Sequence, residues 1–172
     1  FRVVGTLLVF GLMRLILPVR AIECLAWATV LRLFRIGVVI HGQPARGGVL
    51  MLANHVSWID IAALGRMVHA CFVAKAEVGG WPVFGPAARR IGCLFVDRSS
   101  RRSAQVISAQ LGARLDAGRA VIVFPEGTTG MGDGILPFRS TLTAWYSWSK
   151  RTVLTTVKPS RRCAAFARLA PM

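Results

Sequence analysis

Val49-Leu50-Met51-Leu52-Ala53-Asn54-His55-Val56-Ser57-Trp58-Ile59-Asp60 is the stretch on which the reading of this chain turns. The short apolar run Val49–Ala53 reads as a strand, and Ser57–Met67 reads as the helix that follows it. In sheets built this way, active residues gather beyond the carboxyl ends of the strands. His55 and Asp60 fall there, five residues apart, in the connection and at the start of the helix. A side chain early in a helix can face the site, and a carboxylate about a turn later can reach the second nitrogen of the imidazole. That contact fixes the tautomer and raises the basicity of the free ring nitrogen. The pair suits a base that takes a proton from a substrate hydroxyl.

The same texture continues on both sides. Ile36–His41, Ala70–Ala74, Cys93–Val96 and Ala120–Phe124 read as strands. Ser103–Ala117 reads as a helix, with Val106, Ile107, Leu111 and Leu115 on one face and Gly118 at its end. A further helical stretch, interrupted by glycines and prolines, covers about 77–90. Strands alternating with helices predict an α/β domain with a largely parallel sheet flanked by helices.

Two more groups of residues follow strands. Phe124-Pro125-Glu126-Gly127-Thr128 leaves the strand Ala120–Phe124, and proline and glycine hold a sharp turn that presents Glu126. Gly92-Cys93-Leu94-Phe95-Val96-Asp97-Arg98 carries a strand that delivers Arg98 to its carboxyl end, where a guanidinium can hold a phosphate or carboxylate through two hydrogen bonds.

Composition narrows the partners. Hydrophobic residues make up 54% of the 172 residues and charged residues 17%, which is too apolar for disorder and greasier than most soluble domains. Lys and Arg number 22 against 7 acidic residues, a net charge of +15. Such a chain seeks polyanions, and the apolar fraction tilts the choice from nucleic acid to lipid. No aromatic and basic nucleic-acid motif is present. Cys24, Cys71, Cys93 and Cys163 are widely spaced and read as free thiols, and no spacing marks a metal site. His41 and His69 read as structural. Gly79-Gly80-Trp81-Pro82 reads as a turn near an acyl tunnel, and Arg101 and Arg102 as contacts to headgroups or solvent.

Taken in order, Asn54-His55-x4-Asp60, Gly92-x-x-Phe95-x-x-Arg98 and Phe124-Pro125-Glu126-Gly127-Thr128 resemble the three motifs of the glycerolipid acyltransferases typified by 1-acylglycerol-3-phosphate acyltransferase. Ser57-Trp58 and Phe72-Val73-Ala74-Lys75 also look like the bacterial members, and the resemblance covers about residues 36–141. It implies His55 as general base on the acceptor hydroxyl, Asp60 as its orienting partner and Arg98 as the contact to an anionic headgroup. Glu126, Gly127 and Thr128 would help to form the acceptor site. It implies a lysolipid acceptor, an acyl donor on coenzyme A or acyl carrier protein, and no cofactor beyond that thioester. It also implies a cytosol-facing site at the bacterial inner membrane.

Two departures bear on the acceptor and on the end of the domain. Family members often carry Arg where this chain has Thr129, which leaves room for a lyso-ornithine lipid as an alternative to 1-acylglycerol 3-phosphate. The Val-Pro pair that ends a later strand in the family is absent, with only Val157-Lys158-Pro159 near it. A truncated, inactive relic of the family is the further alternative.

The two ends of the chain read differently from its middle. Residues 1–35 read as a membrane-associated helical segment, two helices joined near Pro18, with a buried helical hairpin as the other reading. From Leu142 to Met172 there are six Lys or Arg, no acidic residue and no glycine. The helix–strand rhythm stops there and no final strand is expected. Residues 142–172 read as an atypical basic tail, aberrant or lying on a membrane surface, and the C-terminal part of the sheet as incomplete.

Overall fold

The computed structural model describes residues 19–43, 46–82, 84–97, 100–131, 134–137, 152–157 and 165–171. Helix α1 spans Val19–Leu33, strand β1 Val38–His41 and strand β2 Leu50–Ala53. They are followed by α2 (Ile59–Met67), β3 (Ala70–Lys75), a 3-10 turn (Ala76–Gly80), α3 (Phe84–Arg90) and β4 (Leu94–Val96). Helix α4 (Arg101–Asp116) leads into β5 (Ala120–Val123), and β6 (Thr152–Val157) and β7 (Ala165–Pro171) complete one seven-stranded sheet.

The strand order is β1-β7-β6-β2-β5-β3-β4, and every neighbouring pair is parallel except β6 and β7. The two central strands β2 and β5 are buried at every position, as expected of parallel strands covered on both faces. Side chains alternate between two cores. Met51, Ala53, Phe72, Ile122 and Phe124 pack with Leu31 of α1 and with Ala62, Ala63 and Leu64 of α2. Leu50, Leu52, Cys71, Val73, Val121 and Val123 pack with Ile107 and Leu111 of α4. The sequence put Val106 on that helix face too, but it stands 51% exposed, one position off the stripe that meets the sheet.

Local chemistry explains the boundaries. Ser100 caps α4, its hydroxyl accepting from the N–H of Ser103 at 3.2 Å. Helix α3 ends where Gly92 adopts φ 82°, with hydrogen bonds from Gly92 to Arg89 and from Cys93 to Ala88, so the glycine of the second motif is a helix stop that launches β4. The stretch read as one helix over 77–90 divides into the 3-10 turn and α3, because Pro82 has no N–H to continue a helix.

Helix α1 lies antiparallel on α2. Glu23 meets His69 (3.2 Å), Trp27 meets Gly65, and Phe34 meets Trp58 edge-on with ring centroids 5.1 Å apart. At Gly65 a methyl group would lie 2.6 Å from Trp27 Nε1, so only glycine lets the indole seat. This packing brings the carboxyl end of α1 to the start of α2. Among the described residues no helix is long and apolar enough to cross a membrane. Most of the N-terminal run lies outside those residues.

The expectation of a strandless tail is corrected. β6 lies parallel beside β2, pairing Leu50 with Thr152 and Ala53 with Thr155, and β7 lies between β6 and β1. Thr152-Val153-Leu154-Thr155-Thr156-Val157 is almost wholly β-branched, a composition suited to a pleated surface.

Candidate active site

β2 and β5 are adjacent and parallel, with Leu52 opposite Val123, so the loops that leave them emerge side by side. The first loop carries His55 and Asp60. His55 Nδ1 lies 3.1 Å from Asp60 Oδ2. The same carboxylate oxygen accepts from the backbone N–H of Val56 at 2.7 Å and of Ser57 at 2.8 Å. Ser57 in turn accepts from Ile59 through its hydroxyl at 3.2 Å, so the entry to α2 is hydrogen-bonded residue by residue. The side chain of Asp60 is 2% exposed and that of His55 18%. A carboxylate only accepts, so Nδ1 donates to it, and in the neutral ring this tautomer leaves the lone pair on Nε2. The expected pairing of His55 with Asp60 is thus present in the geometry.

The second loop embraces the first. The Glu126 carboxylate is buried, and its Oε2 accepts from the backbone N–H of His55 at 3.0 Å. Its Oε1 accepts from the backbone N–H of Leu136 at 3.0 Å. The N–H of Gly130 donates to the carbonyl oxygen of His55 at 2.7 Å. The imidazole stacks on the ring of Phe124, with centroids 4.2 Å apart and an interplanar angle of 20°. His55 is therefore held through its N–H, its carbonyl and one ring face, all by residues 124–130.

The turn that makes this possible is set by residue type. The N–H of Gly127 donates to the carbonyl of Phe124 at 3.1 Å, closing a turn with Pro125 in its second position and Gly127, at φ 73°, in its fourth. Proline and glycine are the preferred residues at those places. Thr128 and Thr129 follow on the exposed rim of the loop.

The other candidate residues have distinct places. Arg98 lies outside the described residues, two positions past the end of β4, which is separated from β5 by β3 alone. Phe95 sits on β4 beneath the Arg89 guanidinium, 5.6 Å from its ring centre. Among the described residues no grouping of His, Cys, Asp and Glu could hold a metal ion. Cys24, Cys71 and Cys93 are free thiols, and burial pushes Cys93 up to about 11, so it offers no thiolate at neutral pH. Histidine 69, read as structural, ties α1 to the approach of β3 through Glu23.

Sequence reading did not find the link from Glu126 to His55, nor the parts played by Gly130 and Leu136. No local pattern carries it, because the two partners stand 71 residues apart.

The chain was compared with known proteins. The Acyltransferase family model matches residues 37–155, a span that takes in all three motifs and reaches into β6. A 1-acyl-sn-glycerol-3-phosphate acyltransferase of Neisseria meningitidis serogroup B is 40% identical over 116 residues, which is 66% of this chain and 45% of that protein. A lyso-ornithine lipid O-acyltransferase of Pseudomonas aeruginosa is 41% identical over 107 residues, 62% of this chain and 41% of that protein. The chain thus spans less than half the length of these relatives. The crystal structure of the 1-acyl-sn-glycerophosphate acyltransferase PlsC from Thermotoga maritima aligns over 88% of this chain and 69% of that one, with a TM-score of 0.65 at 21% identity, a likeness of fold. By the family match over most of its length, this chain belongs to the Acyltransferase family.

Proposed function

We propose that the protein transfers a fatty acyl group from an acyl thioester to the hydroxyl of a lysolipid. The observation that carries this reading is the Asp60 carboxylate 3.1 Å from His55 Nδ1 just past the end of β2, the contact that in a neutral imidazole leaves Nε2 to act as base. In the proposed reaction Nε2 takes the proton of the acceptor hydroxyl as its oxygen attacks the thioester carbonyl. A C–O bond forms, the tetrahedral intermediate collapses, the C–S bond breaks, and the proton passes from His55 to the departing thiolate. The thioester is already activated for attack, so no enzyme-bound intermediate and no further cofactor enters. Coenzyme A and acyl carrier protein both present such a thioester. Asp60 orients the ring and stabilises the imidazolium that forms. Arg98 takes the anionic headgroup, and Gly127 and Thr128 shape the acceptor side of the loop.

The acceptor reading is 1-acylglycerol 3-phosphate. Lyso-ornithine lipid is the second reading, favoured by Thr129 in place of an arginine and by a relative of that name at 41% identity, beside 40% for the 1-acyl-sn-glycerol-3-phosphate acyltransferase. The third partner is the membrane of the bacterial cytoplasmic face. Phe34 (53% exposed) and Trp58 (52%) form an exposed aromatic pair at the site end of α1, beside the exposed Arg32 and Arg35. Aromatic rings with flanking arginines suit the headgroup level of an anionic bilayer.

The test is incorporation of a labelled acyl group, from acyl-coenzyme A and from acyl carrier protein, into each acceptor presented in vesicles. Product from 1-acylglycerol 3-phosphate supports the reading. Product from lyso-ornithine lipid alone selects the second. Incorporation into neither acceptor leaves the inactive relic.

A further inference from the structure

We infer that Glu126 is a positioning residue for the base, acting through the backbone of His55, and that its carboxylate makes no contact with the acceptor. This rests on the acyl-transfer reading for the role of His55, and it changes what the motif glutamate does there.

The motif invites the opposite assignment, since a carboxylate presented on a turn beside the base is placed to bind a polar acceptor. Three observations oppose it. Glu126 is only 3% exposed. Each of its oxygens already accepts a backbone N–H, from His55 on one side and Leu136 on the other. Those two donors are main-chain groups that no rotamer change can turn away, so turning the carboxylate to a ligand would break two part-buried hydrogen bonds, the one to His55 among them.

The clamp is also placed to matter. The N–H of His55 lies at the start of the residue whose ring does the chemistry, and Gly130 fixes the carbonyl at its other end. With both peptide groups of His55 held, and Phe124 under the ring, the remaining freedom of the imidazole is set by Asp60. A displacement of about 1 Å at a reacting atom costs on the order of 100-fold in rate. The neighbouring segment 134–137 is drawn into the same device through Leu136.

Glu126→Gln tests this with the shape kept. A glutamine accepts on one side only, and its NH2 faces a second N–H donor on the other. The expected result is a fall in kcat of about 10- to 100-fold, with the KM for acceptor within about twofold of wild type, and with the acceptor dissociation constant, compared with and without Glu126→Gln on the His55→Ala background, also within about twofold. Leu136→Pro removes the outer donor and fixes the local φ, and a fall in kcat of a few-fold is expected. The chain has three histidines, so the 15N spectrum of its imidazoles reports His55 by difference from His55→Ala. In Glu126→Gln the His55 signals should shift and broaden while those of His41 and His69 stay.

A tenfold rise in the acceptor dissociation constant with kcat retained would assign Glu126 to the acceptor and overturn the inference. Unchanged kcat and unchanged imidazole signals would overturn it as well. The spectrum needs no turnover. A wild-type chain that transfers no acyl group would therefore defeat the functional reading, while the imidazole signals still decide the clamp.

Discussion

The loops after β2 and β5 lie side by side, and they are built on different principles. The loop after β2 is self-contained. Asp60 reaches His55, Val56 and Ser57, all within five residues, and the loop would keep this pattern wherever a strand delivered it to a helix. The loop after β5 reaches outward. Its turn is local, but its carboxylate, its Gly130 N–H and its Phe124 ring are all directed at His55 across the sheet. One loop holds the reacting groups and the other holds the loop that holds them. A catalytic pair can thus be short-range in sequence while its alignment is long-range, and the two should fail differently when mutated.

The largest effect is expected in the first loop. His55→Ala should reduce acyl transfer by at least about 100-fold, the span usual for loss of a general base, with the melting temperature and vesicle binding close to wild type. Near-normal turnover in this variant would remove the proposed chemistry. Asp60→Asn comes next. The amide can still accept from Val56, Ser57 and His55, but without the charge, so a rate loss on the order of 100-fold and a stability loss of about 1–2 kcal/mol are expected. Turnover assays and urea unfolding measure the two separately. A stability loss with the rate intact would make Asp60 a loop-folding residue and erase the distinction between the loops.

Changes in the second loop should be milder on chemistry and clearer on structure. Gly127→Ala forces a Cβ into φ 73° and should cost about 1–2 kcal/mol, read as a lowered urea midpoint, with kcat reduced a few-fold through the tilt of the Glu126 clamp. A rate loss as large as that of Asp60→Asn would show that the loop takes part in the chemistry directly. The smallest effect is expected at the rim. Thr129→Arg should leave stability within about 0.5 kcal/mol and move the ratio of turnover on 1-acylglycerol 3-phosphate to that on lyso-ornithine lipid upward by several-fold. An unchanged ratio would mean that acceptor choice is made elsewhere.

Much of this was legible in the chain itself. The strand Leu50–Ala53 and the helix after it follow from an apolar run and a 3.6-residue period, and His55 and Asp60 meet because one turn of helix entry is enough to join them. Gly118, read as a helix end, and Gly127, read as part of a sharp turn, both take positive φ. Less was legible where packing overrides pattern. The tail reads as strandless because it shows no clear alternation, whereas its β-branched run pairs with the open side of β2. Val106 was assigned to the buried face of α4, and a rotation of one residue leaves it outside.

By itself the sequence determined the short-range structure: the α/β rhythm, the turn at Phe124–Gly127, the helix end at Gly118, and the His55–Asp60 pair with its family. Each depends on contacts within a few residues, where dihedral preference and periodicity leave few alternatives. Only the tertiary structure decided that β5 stands next to β2, that β6 fills the other side, that α1 zips antiparallel onto α2, and that Glu126 grips His55 from 71 residues away. The reason is that neighbouring buried strands look alike to a periodicity, so strand order and the hydrogen bonds that depend on it are fixed by how the whole core packs.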